Sequence, residues 1–351
     1  MSAAISRSRT LAPDTSQRAV AIWLLACCAM VFVMVVLGGV TRLTESGLSI
    51  VSWQPVTGAL PPLSQHDWQV QFDAYKATPE FAKRNFWMDV GDFKTIFWME
   101  YLHRLWGRLI GLAFAAPFAW FVLRGHIRGP LAWKLAGILA LGAAQGAMGW
   151  YMVASGLVDR PDVSHYRLAA HLLLAFAIHA AMFRVALGLL DGPPRHGAGA
   201  PLAGHGRLVL WWSLVVILWG AFVAGLDAGK IYNTFPLMGG EVVPAVAFSM
   251  TPWPLDLVEN AATVQFVHRW LAIALVAIVL ALWARARRFA VPPRLRLAAD
   301  LLAAMALLQA AIGVATLLTE VWIPLAALHQ AGAFALFTLA LWFGHLRQRV
   351  A

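Results

Sequence analysis

Eight stretches of nearly unbroken apolar sequence alternate with polar segments along this chain, each close to the roughly 20 residues that cross a bilayer as a helix. They run over 20–40, 105–123, 135–154, 168–190, 208–226, 264–283, 297–318 and 325–345. With so little chain outside lipid, backbone polar groups must be satisfied within each segment, as a helix does. The alternating strands of a membrane barrel are absent from the sequence. The pattern predicts an all-α integral membrane protein with eight transmembrane helices.

The spans form two sets of four that carry the same marks. His103 and His268 each open a span as His-Arg, in YLHRLWGRLIGLAFA and FVHRWLAIALVAIVL. His171 and His329 each lie a few residues inside a later span, in RLAAHLLLAFAIHA and LAALHQAGAFALFT. Gln145 follows His103 at nearly the same spacing as Gln309 follows His268. The two glutamines open the similar strings QGAMGW and QAAIGV, with Gly149 and Gly313 one helical turn on. A repeat with the same orientation in each copy predicts two tandem four-helix bundles. The expected organisation is a bundle over 1–190 with a long outer loop at 41–99, a Gly- and Pro-rich cytoplasmic linker at 191–207, and a second bundle over 208–351. The outer loop is full of aromatic residues, among them Trp53, Trp68, Tyr75, Phe93, Phe97 and Trp98. Ser64 and Asp67 form an N-cap box that opens a short helix ending near Pro79. Such a loop suits an interfacial aromatic belt, or a lid over a site at the outer face. Residues 227–262 form a smaller counterpart.

Composition fits this picture. Hydrophobic residues make up 60% and charged residues 13% of the 351 positions, which excludes an ordinary soluble domain. With the N-terminus inside, the inner segments hold 16 basic residues against three acidic ones, and the outer segments 11 against 14. Both termini are therefore expected in the cytoplasm, and the net charge of +10 is an inner-face effect rather than a sign of nucleic acid binding. Cys27 and Cys28 are neighbours on one helix and cannot easily pair with each other; they read as small apolar filler. No CxxCH occurs, which excludes covalent c-type haem attachment. Residues 1–19 lack the apolar core of a cleaved secretory signal. Abundant Ala and the excess of Arg over Lys favour a bacterial source, so the bacterial inner membrane is expected ahead of the mitochondrial one.

Imidazole near a bilayer core is costly and takes a partner or a metal. Four histidines at one depth, two per half, point to two axially ligated haems. The other seven fall outside the pattern; His179, whose counterpart is Phe337, reads as structural. The halves differ around their first histidine. Glu100 lies three positions before His103, on the same helix face, where Gln265 precedes His268; Arg108 follows His103 where Ile273 follows His268. A carboxylate near a redox centre moves protons or stabilises a developing cation, and a plain electron-transfer haem needs neither. Arg104, Arg108, Arg167 and Arg269 lie at the outer ends of the ligand helices, where they either pair with haem propionates or snorkel to the interface. Gly107, Gly149 and Gly313 allow close approach of a helix or a porphyrin.

FKTIFWMEYLHRLWGR (93–108), GGVTRLTESGLSIVSWQPVTGALPP (38–62) and KIYNTFPLMGG (230–240) resemble the signatures of haem A synthases, and the likeness covers nearly the whole chain. It implies an oxidoreductase that converts the C8 methyl of haem O to the formyl of haem A, for cytochrome c oxidase. It further implies that His103 and His171 hold the substrate or product haem, that His268 and His329 ligate a haem b cofactor, and that Glu100 is the catalytically important acid. Some bacterial members carry cysteine pairs in outer loops; this chain has none there and resembles the cysteine-free branch. The implied partners are membrane lipid, a haem O synthase as substrate donor, cytochrome c oxidase assembly factors and an electron donor of unspecified identity; a homo-oligomer is compatible with the sequence. Haem O carries an isoprenoid tail, so it is expected to enter the first half sideways from lipid, with a closed counterpart in the second half. A di-haem cytochrome b that only relays electrons explains the four histidines equally well but leaves Glu100 against Gln265 without a reason. A transporter, suggested by the repeat, lacks the expected midplane acids.

Overall fold

The computed structural model describes residues 15–53, 57–157, 163–192 and 200–349. Positions 1–14 of the N-terminal lead and positions 193–199 of the expected linker lie outside them. In chain order the helices are α1 (Thr15–Leu43), α2 (Gln65–Lys76), α3 (Val90–Leu123), α4 (Gly129–Gly156), α5 (His165–Asp191), α6 (Ala200–Gly225), the single turn α7 (Asp256–Glu259), α8 (Ala261–Arg288), α9 (Pro293–Leu318) and α10 (Ile323–Arg347). All but α2 and α7 are long and apolar enough to cross a membrane, so eight spans are present. Apart from these helices and a few short helical turns, the described residues hold only one isolated β-bridge, Met238 to Glu241.

Local chemistry sets the helix ends. Asp89 caps α3 by accepting from the backbone N–H of Gly91 and Asp92, while the Asp92 carboxylate accepts from the Asp89 N–H. Asn260 caps α8 through Ala262 and Thr263. In α4, α9 and α10 a proline occupies the first turn, where no N–H is needed. Gly192, at a φ of 77°, closes α5 in a conformation that favours glycine.

Helices α1, α3, α4 and α5 pack in a ring, and so do α6, α8, α9 and α10; the rings meet where α1 and α5 touch α6 and α10. The first core, built on Leu24, Val31, Phe121, Phe176 and Met182, continues into Phe334 and Phe337 of α10. His179 belongs to this seam. Its Nε2 lies 2.9 Å from Thr338 Oγ1 and its ring packs on Phe334, a structural link between α5 and α10. Cys27 and Cys28 are free and buried in the same core.

Three features depart from expectation. The span expected from 105 belongs to a helix that begins several turns earlier, at Val90, so the outer loop ends at Asp89. Asp92, Lys94 and Glu100 interrupt the apolar run, yet Phe93, Ile96, Phe97 and Tyr101 form one buried stripe along this extension. Second, that stripe packs on Trp68, Phe72 and Tyr75 of α2 as a small separate core rather than facing lipid as a belt. Burying one such ring contributes about 1.5–3 kcal/mol. The Ser64–Asp67 cap is present, and α2 ends at Lys76, just before Pro79. Third, 200–207 is not linker but the first two turns of α6, where Gly206 lets α6 close on Phe343 of α10.

Candidate functional site

Each of the four histidines meets a glycine on a neighbouring helix. A Cβ on Gly38 of α1 would stand 3.0 Å from His103 Cε1, and one on Gly220 of α6 would stand 3.2 Å from His268 Cε1. Gly149 of α4 faces His171 at 3.3 Å, and Gly313 of α9 faces His329 at 2.7 Å. Any side chain there would push the imidazole aside. Gly107 serves another purpose, letting α3 approach Met34 of α1. Within each half the histidines lie in coulombic reach of one another, His103 with His171 and His268 with His329. Gln145 donates to the backbone carbonyl of His171 at 3.1 Å, and Gln309 to that of His329 at 2.8 Å; each also meets its histidine's ring. The two QxxxG strings noted in the sequence thus fix the later histidine of each pair. The Nδ1 atoms of His103, His171 and His268 are buried and have no hydrogen-bond partner.

Around the first histidine of each half, one loop is held in one way. Arg104 donates to the Ile50 carbonyl at 2.8 Å and the Ser52 carbonyl at 3.1 Å. Arg269 donates to the Tyr232 carbonyl at 2.7 Å and the Thr234 carbonyl at 2.8 Å. Ile50 follows Gly38 at the same spacing as Tyr232 follows Gly220. Both loops turn at an acidic residue in the left-handed region, Glu45 at a φ of 52° and Asp227 at 50°. Arg42, in the last turn of α1, joins Asp227 of the second loop at 3.0 Å. Burial alone would raise the Asp227 carboxyl, but Arg42 and Lys230 outweigh it and hold it below the usual carboxylate range.

The residue one turn before the histidine differs. Glu100 is 3% exposed. It accepts from Ser49 Oγ at 2.7 Å, from the Ile50 N–H at 2.8 Å and from Arg104 Nε at 2.9 Å. Gln265 sits at the matching place and instead donates to the Tyr232 carbonyl at 3.2 Å.

The remaining arginines do not converge on one point. Arg104 and Arg108 share a cavity of about 270 Å³ beneath the outer loop, lined also by Phe97, Tyr101, Pro61 and Pro62. Arg167 lies elsewhere, over the Tyr151 ring with its centroid 4.2 Å away, and donates to the Tyr151 hydroxyl at 3.2 Å. Gly38, Gly220, Ser49 and Tyr151 escaped the sequence reading. The matching strings ESG (45–47) and DAG (227–229), placed alike after Gly38 and Gly220, were the available signal.

Fold and site together define a polytopic α-helical membrane protein that presents a histidine pair in each half. The chain belongs to the cytochrome oxidase assembly protein family, whose model matches residues 21–341. It is 53% identical over 333 residues to a Rhodospirillum centenum protein named heme A synthase, covering 94% of this chain and 88% of that one. A heme A synthase of Nitrosospira multiformis is 52% identical over 95% of this chain and 94% of its own. The Arabidopsis thaliana protein named heme A synthase COX15 is 44% identical over 95% of this chain and 76% of its own.

Proposed function

We propose that this protein is a haem A synthase, which oxidises the C8 methyl of haem O to the formyl of haem A for cytochrome c oxidase. The observation that carries the reading is the buried carboxylate of Glu100, one helical turn before His103, at a place where the other half has an amide. The donor set suits haem in both halves. Imidazoles come in pairs, buried Nδ1 atoms lack partners, and a glycine clears space beside each ring. His103 and His171 would hold the substrate haem, and His268 and His329 a haem b cofactor. When bound, haem b supplies one-electron transfer. The protein's own part in the first half is to orient the substrate and to manage protons. Arg104 and Arg108, in their shared outer cavity, suit the propionates, and Glu100 is placed to accept a proton lost from the methyl.

The first half also suits entry of a tailed haem from lipid. Helices α3 and α4 meet sparsely, whereas α8 and α9 pack along their length. Between 139 and 150, α4 buries no residue, while the matching stretch of α9 buries Ala303, Ala306 and Ile312. The rings of four helices are read as tandem copies, with termini in the cytoplasm of a bacterium and the protein in its inner membrane. Arg167 and Arg269 complete the basic rim of the two sites. A haem O synthase would deliver substrate, and oxidase assembly factors would receive product.

The test is Glu100→Gln, expressed in a host that makes haem O but no haem A. The wild-type preparation should contain formyl-bearing haem. The variant should fold and keep haem b, but accumulate haem O or a hydroxylated intermediate, with formyl product down about 100-fold or more. Haem b alone in the wild type would instead make the protein an electron relay.

A further inference from the structure

We propose that the notch between α1, α5 and α10, at the end of the molecule away from the outer loops, binds the phosphate headgroup of an anionic phospholipid. A cavity of about 540 Å³ opens there, lined by Gln17, Arg184, Gly188, Gly344, His345 and Arg349. A Cβ on Gly188 or Gly344 would meet nothing within 4 Å, so the two glycines leave real space between α5 and α10. Arg347 lies within coulombic reach of both Arg184 and Arg207. Arg184 lines the notch itself, while Arg347, packed by Gly206 of α6, and Arg207 add their charge from beside it, and a guanidinium does not shed its charge.

Among the described residues, nothing neutralises them. The two described carboxylates at this end are already engaged. Asp191 pairs with His345 at 2.9 Å and Arg294 at 3.7 Å, while Asp300 serves Arg287 and Trp283. Arg349 is taken up by His345 and the carbonyls of Asp191 and Gly192. Arg347 Nε is buried without a partner. The segment 193–199, PPRHGAG, contains no acid. An uncompensated Arg184 in a glycine-lined notch, with further unpaired cations beside it, calls for an anion that the bilayer supplies at this depth, and a phosphodiester headgroup meets that need.

The test places wild type and Arg184→Gln/Arg347→Gln in nanodiscs of phosphatidylcholine, with or without cardiolipin. Unfolding temperature and phospholipid retained in native mass spectrometry are the readouts. Cardiolipin should raise the wild-type unfolding temperature by a few degrees and be retained. The double variant should retain it about tenfold less or worse. Gly188→Leu, which fills the notch and keeps the charges, should lose retention too. Inorganic phosphate added to the phosphatidylcholine discs should do nothing. Equal retention by wild type and both variants would overturn the proposal, as would a shift reproduced by phosphate alone.

Discussion

Both halves tie an outer loop to the first histidine's helix with one arginine, and they part company at the residue one turn earlier. In the first half the loop offers donors, Ser49 Oγ and the Ile50 N–H, and Glu100 accepts them. In the second, Ile231 stands where Ser49 would, and Gln265 donates to a carbonyl. Holding a loop needs only hydrogen bonds, and either chemistry supplies them. Taking up a proton needs the carboxylate. The scaffold is thus common to both halves, and the acid stands in one of them.

The largest effect should come from the histidines themselves. His268→Ala or His329→Ala should abolish the reduced haem b band almost completely, whereas His103→Ala or His171→Ala should keep it and lose the haem O and haem A fraction. Pigment extraction with reduced spectra checks this. Loss of haem b from all four variants alike would erase the division of labour.

The number and type of spans were legible because continuous apolar runs of this length have one solution in lipid. The four histidines were legible because they repeat. The extension of α3 was not, since Asp92, Lys94 and Glu100 break its apolar run and only tertiary packing on Trp68 and Tyr75 shows that one face is buried. The glycines opposite His103 and His268 were hidden by unequal loops, which place Gly38 much farther ahead of its histidine than Gly220. For Arg104 and Arg269 the sequence leaves two roles open, pairing with haem propionates and snorkelling to the interface. Much of their donor capacity goes to loop carbonyls, a role that depends on main-chain atoms and leaves no side-chain signature.

Gln265→Glu tests the wiring directly. A carboxylate there would have Arg269, whose Nε has no partner, but would face the Tyr232 carbonyl without a donor to give it and without the hydroxyl that Ser49 gives Glu100, costing about 1–3 kcal/mol. It should lower the thermal stability of the second half and confer no synthesis when combined with Glu100→Gln. Unchanged stability would mean that the two loops accept either residue.

A smaller difference is expected between two alanines. Gly313→Ala places a Cβ 2.7 Å from the His329 ring, Gly149→Ala one 3.3 Å from the His171 ring. The first must displace its imidazole, at about 1–3 kcal/mol for overpacking; the second needs a shift of tenths of an ångström. Haem retention on dilution should fall further in Gly313→Ala.

The mildest effect concerns pH. Glu80, in the outer loop and within coulombic reach of Glu100, is buried and accepts from the Tyr75 hydroxyl at 3.1 Å; burial pushes its carboxyl up to about 7. The folded loop keeps a proton that an unfolded glutamate releases near its ordinary value of about 4.3. Loop stability should therefore be highest in acid, decline as pH rises between those values, and level off above. Hydrogen exchange across 65–97 should show more opening at neutral than at acid pH, beyond the intrinsic rate change, and Glu80→Gln should flatten the trend. The same slope in that variant would place the titrating group elsewhere.

The oxygens of Glu100 that fasten the outer loop are the same ones that would take up a proton. Protonation costs the ion pair with Arg104, at 2.6 Å, and weakens the pull on Ser49 and Ile50. On the proposed function, turnover would then carry its own clock: the event that marks progress on the substrate would also slacken the cover above it, so departure would be timed by chemistry. The second half, fastened by an amide and a guanidinium, has no such release and would keep its contents from one cycle to the next.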